Sequence, residues 1–270
     1  MTMPPPEYVI ARSVLLDALE ALGPHRAAVI LVGAQAVYAN TGDADLTTAP
    51  TTTNADLAVV PGLLPDDPRV PEVLRAAGFV PGSQPGIWLG RGQVAVDLLT
   101  PAAFSGPGKS RSVDLPPHGK FTRRTPGLEA AVFDNQTHSI IALDELDIRS
   151  FQLKVAGPAA LVVAKMIKIS ERATQPSRLR PKDGLDVLRL LRTTDPANLA
   201  ASLREIASQH MAEDAVVSAV AAIREHGREW GGLLPSLAAA AEAGSGDPDV
   251  IRASVVALVE EVLDELGSSI

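Results

Sequence analysis

Two short apolar runs carry the residues best suited to phosphoryl-transfer chemistry, Thr52-Thr53-Asn54-Ala55-Asp56-Leu57 and Val94-Ala95-Val96-Asp97-Leu98. Side chains alternate across a strand, so Asn54 and Asp56 project to one side, and Asp97 on a neighbouring strand can complete the group. Converging ligands of this kind suit divalent cations, and two cations about 3.5–4 Å apart clamp the attacking and leaving oxygens of a phosphoryl displacement. Taken singly, each aspartate reads as an ordinary polar residue near a strand end. Asp97, however, is flanked by apolar residues on both sides, where a carboxylate without a partner is costly to bury. Upstream, Leu31-Val32-Gly33-Ala34 reads as a strand-to-helix turn. A glycine there lets backbone N–H groups face a triphosphate at the helix N-terminus.

A second group lies far along the chain. Lys165, Lys168 and Arg172 fall at i, i+3 and i+7, one stripe of a helix, and Asp183 and Asp186 open the next helix after Arg180-Pro181-Lys182. Residues 165–192 hold eight basic side chains against three acidic ones. Such an excess in a chain of net charge −8 favours an anionic ligand nearby, although a solvated charged helix pair reads the same way.

Other candidates are weaker. Asp43-Ala44-Asp45-Leu46 is a second acid pair, but Thr47-Thr48-Ala49-Pro50 after it is not a strand. Ala103 to Ser110 has a loose Walker spacing with Ala103 in place of the first glycine, and Asp114-Leu115-Pro116-Pro117 breaks the helix that should follow. Lys109, Arg111, Lys120, Arg123 and Arg124 in the same stretch either touch substrate or solvate it. The five histidines never fall at metal-ligand spacing, no serine sits in a nucleophile elbow, and cysteine is absent.

The elements that must position these residues follow from periodicity. Glu7–Leu22 has helical spacing, Ala27–Val32 and Ala55–Val60 read as strands, Ala34–Ala39 is helix-compatible, and Val70–Ala77 is a helix ended by Gly78. Gly86–Leu89 and Gln93–Leu99 read as a hairpin. Thr100–Pro126 has no clear period and reads as a long loop. Ala130–Phe133, Ser139–Leu143 and Ile148–Val155 read as strands. From Pro158 six helical segments run to the end. The expected fold is α+β, an α/β half over 1–157 with a mixed sheet and helices, then a helical bundle over 158–270.

Composition narrows the field further. With 46% hydrophobic and 21% charged residues the chain is globular rather than disordered. Aromatics make up 3%, too few for a base-stacking surface, and the acidic balance confines any nucleic-acid contact to a local patch. The N-terminal stretch has no apolar core like that of a signal peptide, and the longest apolar run falls short of a membrane span. The expected location is the cytoplasm, without membrane association.

The ordered set Gly33-Ala34, Asn54-x-Asp56, Asp97, Lys165 to Arg172 and Lys182-Asp183-x-x-Asp186 resembles the AbiEii/MenT-like family of nucleotidyltransferase-fold proteins, over about residues 7–192. That resemblance implies a polymerase-β-like first half and transfer of a nucleoside monophosphate from an NTP to an acceptor such as tRNA. It also implies the toxin of a toxin–antitoxin pair, with an antitoxin protein as partner. It implies Mg²⁺ or Mn²⁺ on Asn54, Asp56 and Asp97, and catalytic roles for Asp56, Asp97, Lys165 and Asp186. Nucleotide contacts would come from Gly33, Ala34, Thr53, Lys165, Arg172, Lys182 and Asp183. Two positions depart from the pattern. Ala34 stands where the turn has Gly or Ser, and Asn54 stands where the strand has its first aspartate. An amide oxygen ligates Mg²⁺ without bringing charge, so two carboxylates would face the cations instead of three. Two readings stay open on this resemblance, a transferase slowed by Asn54 and a degenerate member that binds nucleotide or a partner without turnover. Outside it stands a helical interaction module fused to an unrelated α/β domain.

Overall fold

A computed structural model describes residues 4–42 and 51–267, so Asp43 and Asp45 lie outside the described residues. The fold is α+β, with ten helices and a nine-stranded mixed open sheet among the described residues. The chain divides into two compact units. The first comprises Met1–Ala39, Pro50–Thr125 and Asn135–Ala156; the second comprises Asn40–Ala49, Pro126–Asp134 and Gly157–Ile270.

In the first unit, α1 (Pro6–Leu22) leads through a 3₁₀ turn (Gly23–Ala28) into β1 (Val29–Val32) and α2 (Gly33–Thr41). Then come β2 (Asn54–Val59), α3 (Val70–Ala76), β3 (Val80–Pro81), β4 (Ile87–Leu89) and β5 (Ala95–Pro101). A second hairpin, β6 (Ser112–Leu115) and β7 (Gly119–Thr125), precedes β8 (Asn135–Ile141) and β9 (Ser150–Ala156). The sheet order is β3-β4-β5-β2-β1-β9-β8, with β7 pairing β5 and β6 pairing β7. β1 is apolar throughout and buried at every position, as a strand covered on both faces must be. Val14, Leu15, Leu16 and Leu19 of α1 are buried and complete this core.

Two expectations are corrected. Thr100–Pro126 is not a loop, because it folds into β6 and β7, with β7 running parallel to β5. Its basic residues and prolines mask the pattern. Phe121 and Thr122 are nevertheless buried, and the hydroxyls of Thr100 and Thr122 bond at 2.7 Å across the two strands. Ala130–Phe133 is not a strand but part of the short helix α4 (Glu129–Phe133). A four-residue apolar run cannot be told from a helix turn by periodicity; packing of α4 on α5 (Pro158–Arg172) decides it.

The second unit continues with α6 (Pro181–Thr193), α7 (Pro196–Ala207), α8 (Glu213–Gly227), α9 (Leu233–Ala241) and α10 (Pro248–Leu266). α6 and α9 pack so closely that a Cβ at Gly184 would lie 2.7 Å from the Ala238 backbone nitrogen. None of the described helices is long and apolar enough to cross a membrane.

Candidate functional site

In the first unit the polar residues of β2 and β5 meet as period-two geometry requires. The strands are parallel with Asp56 opposite Asp97, so the two carboxylates share one face of the sheet. They lie within hydrogen-bonding reach of each other. Asn54 is two residues before Asp56 on the same face, and its Nδ2 donates to Asp56 Oδ1 at 3.2 Å. The Thr52 hydroxyl donates to Asn54 Oδ1 at 3.1 Å, which sets the amide with its N–H₂ toward the carboxylates. The neighbour of Asn54 is thus Thr52, which is buried; Thr53 is exposed.

The β1–α2 turn closes over this pair. Gly33 has φ +67°, and a Cβ there would collide with Asp56 Oδ2. Only glycine allows the carboxylate to lie against the turn. Ala34 is buried beside it. Gly33→Ala is therefore expected to displace Asp56 and to place a non-glycine residue in the left-handed region, at about 1–2 kcal/mol. A Mn²⁺ titration followed by thermal denaturation should show at least a tenfold loss of cation affinity, beyond what the stability loss alone produces.

Asp97 is strongly perturbed. Burial first, and then the charge of Asp56, push its carboxyl up to about 7, while Arg123 on β7 at 3.6 Å opposes the shift. Its Oδ1 is buried with no hydrogen-bond partner. Two carboxylates forced together, one with an orphaned buried oxygen, in a cradle that a single methyl would fill, fit a divalent cation. Asp56 and Asp97 would hold it, with Asn54 as a neutral oxygen ligand once its amide turns over and leaves Thr52. Three-membered groups of His, Cys, Asp or Glu placed to hold a metal are absent among the described residues; the third ligand here would be an amide.

Further residues support this site without a legible signal in the sequence. Gln35 in the first turn of α2 donates to the Asn54 carbonyl at 3.1 Å and accepts from Arg12 Nε at 2.8 Å. Arg12 is itself buried, and donates also to the Tyr8 hydroxyl and the Ile141 carbonyl. This chain of bonds ties α1 and α2 to the start of β2. Arg123 joins them; the sequence marks it only as one of five basic residues that either touch substrate or solvate a loop.

In the second unit the basic stripe of α5 meets the start of α6. Lys165 Nζ donates to Asp183 Oδ1 at 3.0 Å and to Asp186 Oδ2 at 2.6 Å. Lys168 reaches Asp183 at 2.8 Å and Arg172 reaches it at 3.5 Å. Burial alone would push the Lys165 ammonium down, but Asp186 and Asp183 outweigh it and its pKa is raised. Burial would raise Asp183, yet Lys165 and Lys168 bring it down to about 2. Burial and the charge of Lys165 hold Lys168 below the usual lysine range. Asp186 is fully buried, with Oδ1 lacking a partner. Lys182 is half-buried in the first turn of α6. The stripe thus has an anion of its own, the pair Asp183 and Asp186.

No family model, curated protein or solved structure matches the chain.

Proposed function

We propose that the first unit is a nucleotidyltransferase site that binds an NTP with Mg²⁺ or Mn²⁺ and transfers the nucleoside monophosphate to an acceptor. The observation that carries this reading is the pairing of Asp56 with Asp97 against Gly33, with Asp97 Oδ1 left unsatisfied. A divalent cation, when bound, would polarise phosphoryl oxygens and offset charge on the leaving group. Asp56 and Asp97 would bind it, the N-terminus of α2 would receive phosphate oxygens, and Asp97 is poised to hold or release a proton near neutral pH. On the resemblance described above, the acceptor is tRNA and the protein is the toxin of a toxin–antitoxin pair acting in the cytoplasm. Label transfer from α-³²P-NTP to bulk tRNA, with Asp97→Ala as control, tests the chemistry. Growth arrest on induction, relieved by Asp97→Ala, tests the toxin role. Absence of any label transfer in Mn²⁺ would defeat the transferase reading.

One observation favours a second reading, binding without turnover. The Asn54 N–H₂ occupies an Asp56 lone pair that a cation would otherwise take.

Both readings predict proton-linked cation binding. Asp97 has a raised pKa, so the folded protein holds a proton that the unfolded chain lacks, between the ordinary aspartate value of 3.8 and about 7. Stability without cation should therefore fall as pH rises across that window. A cation must displace this proton, so affinity should weaken below pH 7 by up to about tenfold per unit. Thermal midpoints with and without Mn²⁺ at pH 6, 7 and 8 should show the largest rise at pH 8, and no rise in Asp97→Asn.

A further inference from the structure

His25 and His118 form a buried pair in the first unit, well away in sequence from the carboxylates. His25 is fully buried in the 3₁₀ turn before β1, and His118 is 6% exposed in the turn between β6 and β7. The ring centroids are 5.3 Å apart and the planes nearly perpendicular, at 88°. Phe121 stacks edge-on against His118 at 5.8 Å.

Backbone partners fix the state of each ring. His25 Nε2 lies 2.7 Å from the Pro68 carbonyl, an acceptor only, so Nε2 carries the proton and Nδ1 is a bare lone pair. His118 Nδ1 accepts from the Val70 N–H at 3.2 Å, so its proton sits on Nε2. The two remaining nitrogens, His25 Nδ1 and His118 Nε2, are both buried without a partner. A metal ion suits this pair poorly, because His118 would have to give up its Nε2 proton while Nδ1 still accepts from Val70.

Both rings therefore grip one segment, Pro68 to Val70, where the chain enters α3. The bond from Val70 needs a bare His118 Nδ1, and His25 keeps its bond to Pro68 in either state but has no acceptor for a second proton. Arg69 between them donates to the Pro117 carbonyl, joining the same segment to the β6–β7 turn. A proton added to His118 must go on Nδ1 and breaks the bond from Val70. A proton added to His25 goes on Nδ1 and creates a buried cation with no acceptor.

We propose that His25 and His118 form an acid-sensitive clamp that holds the start of α3 against the β6–β7 turn at neutral pH and releases both on acidification. Burial, and the adjoining His118, lower the His25 pKa, while its bond to Pro68 opposes the shift. A base with a depressed folded pKa gives stability that is full above its ordinary value of 6.5 and is lost as pH falls below it. Carboxylates that could hold the charged form are absent from the pair. On the surrounding elements Arg12 of α1 is buried but engaged by Gln35, Tyr8 and Ile141. The other charged groups there are exposed or half-buried, among them Asp17 and Glu20 on α1, Glu72 and Arg75 on α3, Lys154 on β9, and Asp114 and Lys120 on the hairpin. Arg26 stacks on Phe151, and Asp67 lies 3.8 Å from Arg69 at the surface. β7 also carries Arg123, the partner of Asp97, so release of the hairpin would loosen the cation opposite that carboxylate.

Amide exchange measured by mass spectrometry from pH 7.5 to 5.0, corrected for the intrinsic rate, tests the clamp on the whole chain. Protection of peptides covering 66–76 and 112–125 should drop at least tenfold, while β2 and β1 keep theirs. Gln places a donor where Nε2 is and Asn an acceptor where Nδ1 is, so His25→Gln with His118→Asn preserves both backbone bonds without titrating. That double variant should show pH-independent protection in both peptides. Long-range ¹⁵N imidazole spectra of the unmodified protein give a second readout. Both rings should be Nε2–H at pH 7.5, and His25 should titrate below its ordinary 6.5. Flat protection in the unmodified protein, the same loss in the double variant, or the opposite tautomer on either ring would overturn the clamp.

Discussion

Asn54→Asp should raise nucleotidyl transfer to bulk tRNA by about 10²–10³-fold, the effect commonly seen when a charged transition-state stabiliser is restored in a partly desolvated site. In the present chain Asn54 donates to Asp56 and accepts from Thr52. An aspartate would keep the Thr52 bond and turn its second oxygen toward Asp56 Oδ1, replacing a 3.2 Å hydrogen bond by a repulsion. The variant should therefore be less stable than the parent in chelator, and should gain more in thermal midpoint when Mn²⁺ is added. Those two shifts together distinguish a cation site from a general electrostatic change. Equal transfer by both forms would remove Asn54 from the metal. Transfer by neither form, with Mn²⁺ stabilising both, would favour binding without turnover.

What the sequence made legible here was local, and what it hid was pairing. Asn54, Asp56 and Asp97 stand out because period two and apolar flanks are properties of five or six residues. That Asp56 sits opposite Asp97, rather than one residue away, depends on a parallel register between segments 41 residues apart in sequence. A slip of one residue would have put them on opposite faces. Gly33 was legible as a turn, but its contact with Asp56 is not encoded in any spacing. Arg123 stands out only as one of five basic residues, because Lys120, Arg123 and Arg124 make β7 look like solvated loop; only the parallel pairing with β5 brings it to Asp97. Buried Arg12 and Gln35 gave no signal, since a lone arginine on α1 looks like a surface residue. The basic stripe of α5 is legible as one face of a helix, yet charge counting cannot distinguish a ligand's phosphate from the chain's own Asp183.

That last ambiguity makes Lys165 the sharpest test in the helical unit. Lys165→Met should cost about 3–5 kcal/mol, because it leaves Asp186 buried without a cation. At roughly 3.6 °C per kcal/mol for a unit of about 130 residues, that is a fall of roughly 11–18 °C. Asp183 keeps Lys168 and Arg172, so the loss falls chiefly on Asp186, whose side chain is 1% exposed. Asp186→Leu added to Lys165→Met should recover most of the stability, since replacing a whole buried pair by apolar groups is far cheaper than breaking it. The pH dependence gives a second arm. In the parent, the lowered Asp183 contributes stability that is present above the ordinary aspartate value of 3.8 and lost as pH falls toward 2. The raised Lys165 contributes stability that is present below its ordinary 10.5 and lost above it. The parent's urea midpoint, followed through Trp230 in a Trp88→Phe background, should thus be insensitive to these groups between pH 5 and 9. In Lys165→Met the stranded carboxylate gains stability by taking up a proton, so the deficit should shrink as the pH is lowered. An unchanged midpoint combined with lost nucleotide binding would instead return Lys165 to the phosphate contact that the family resemblance implies.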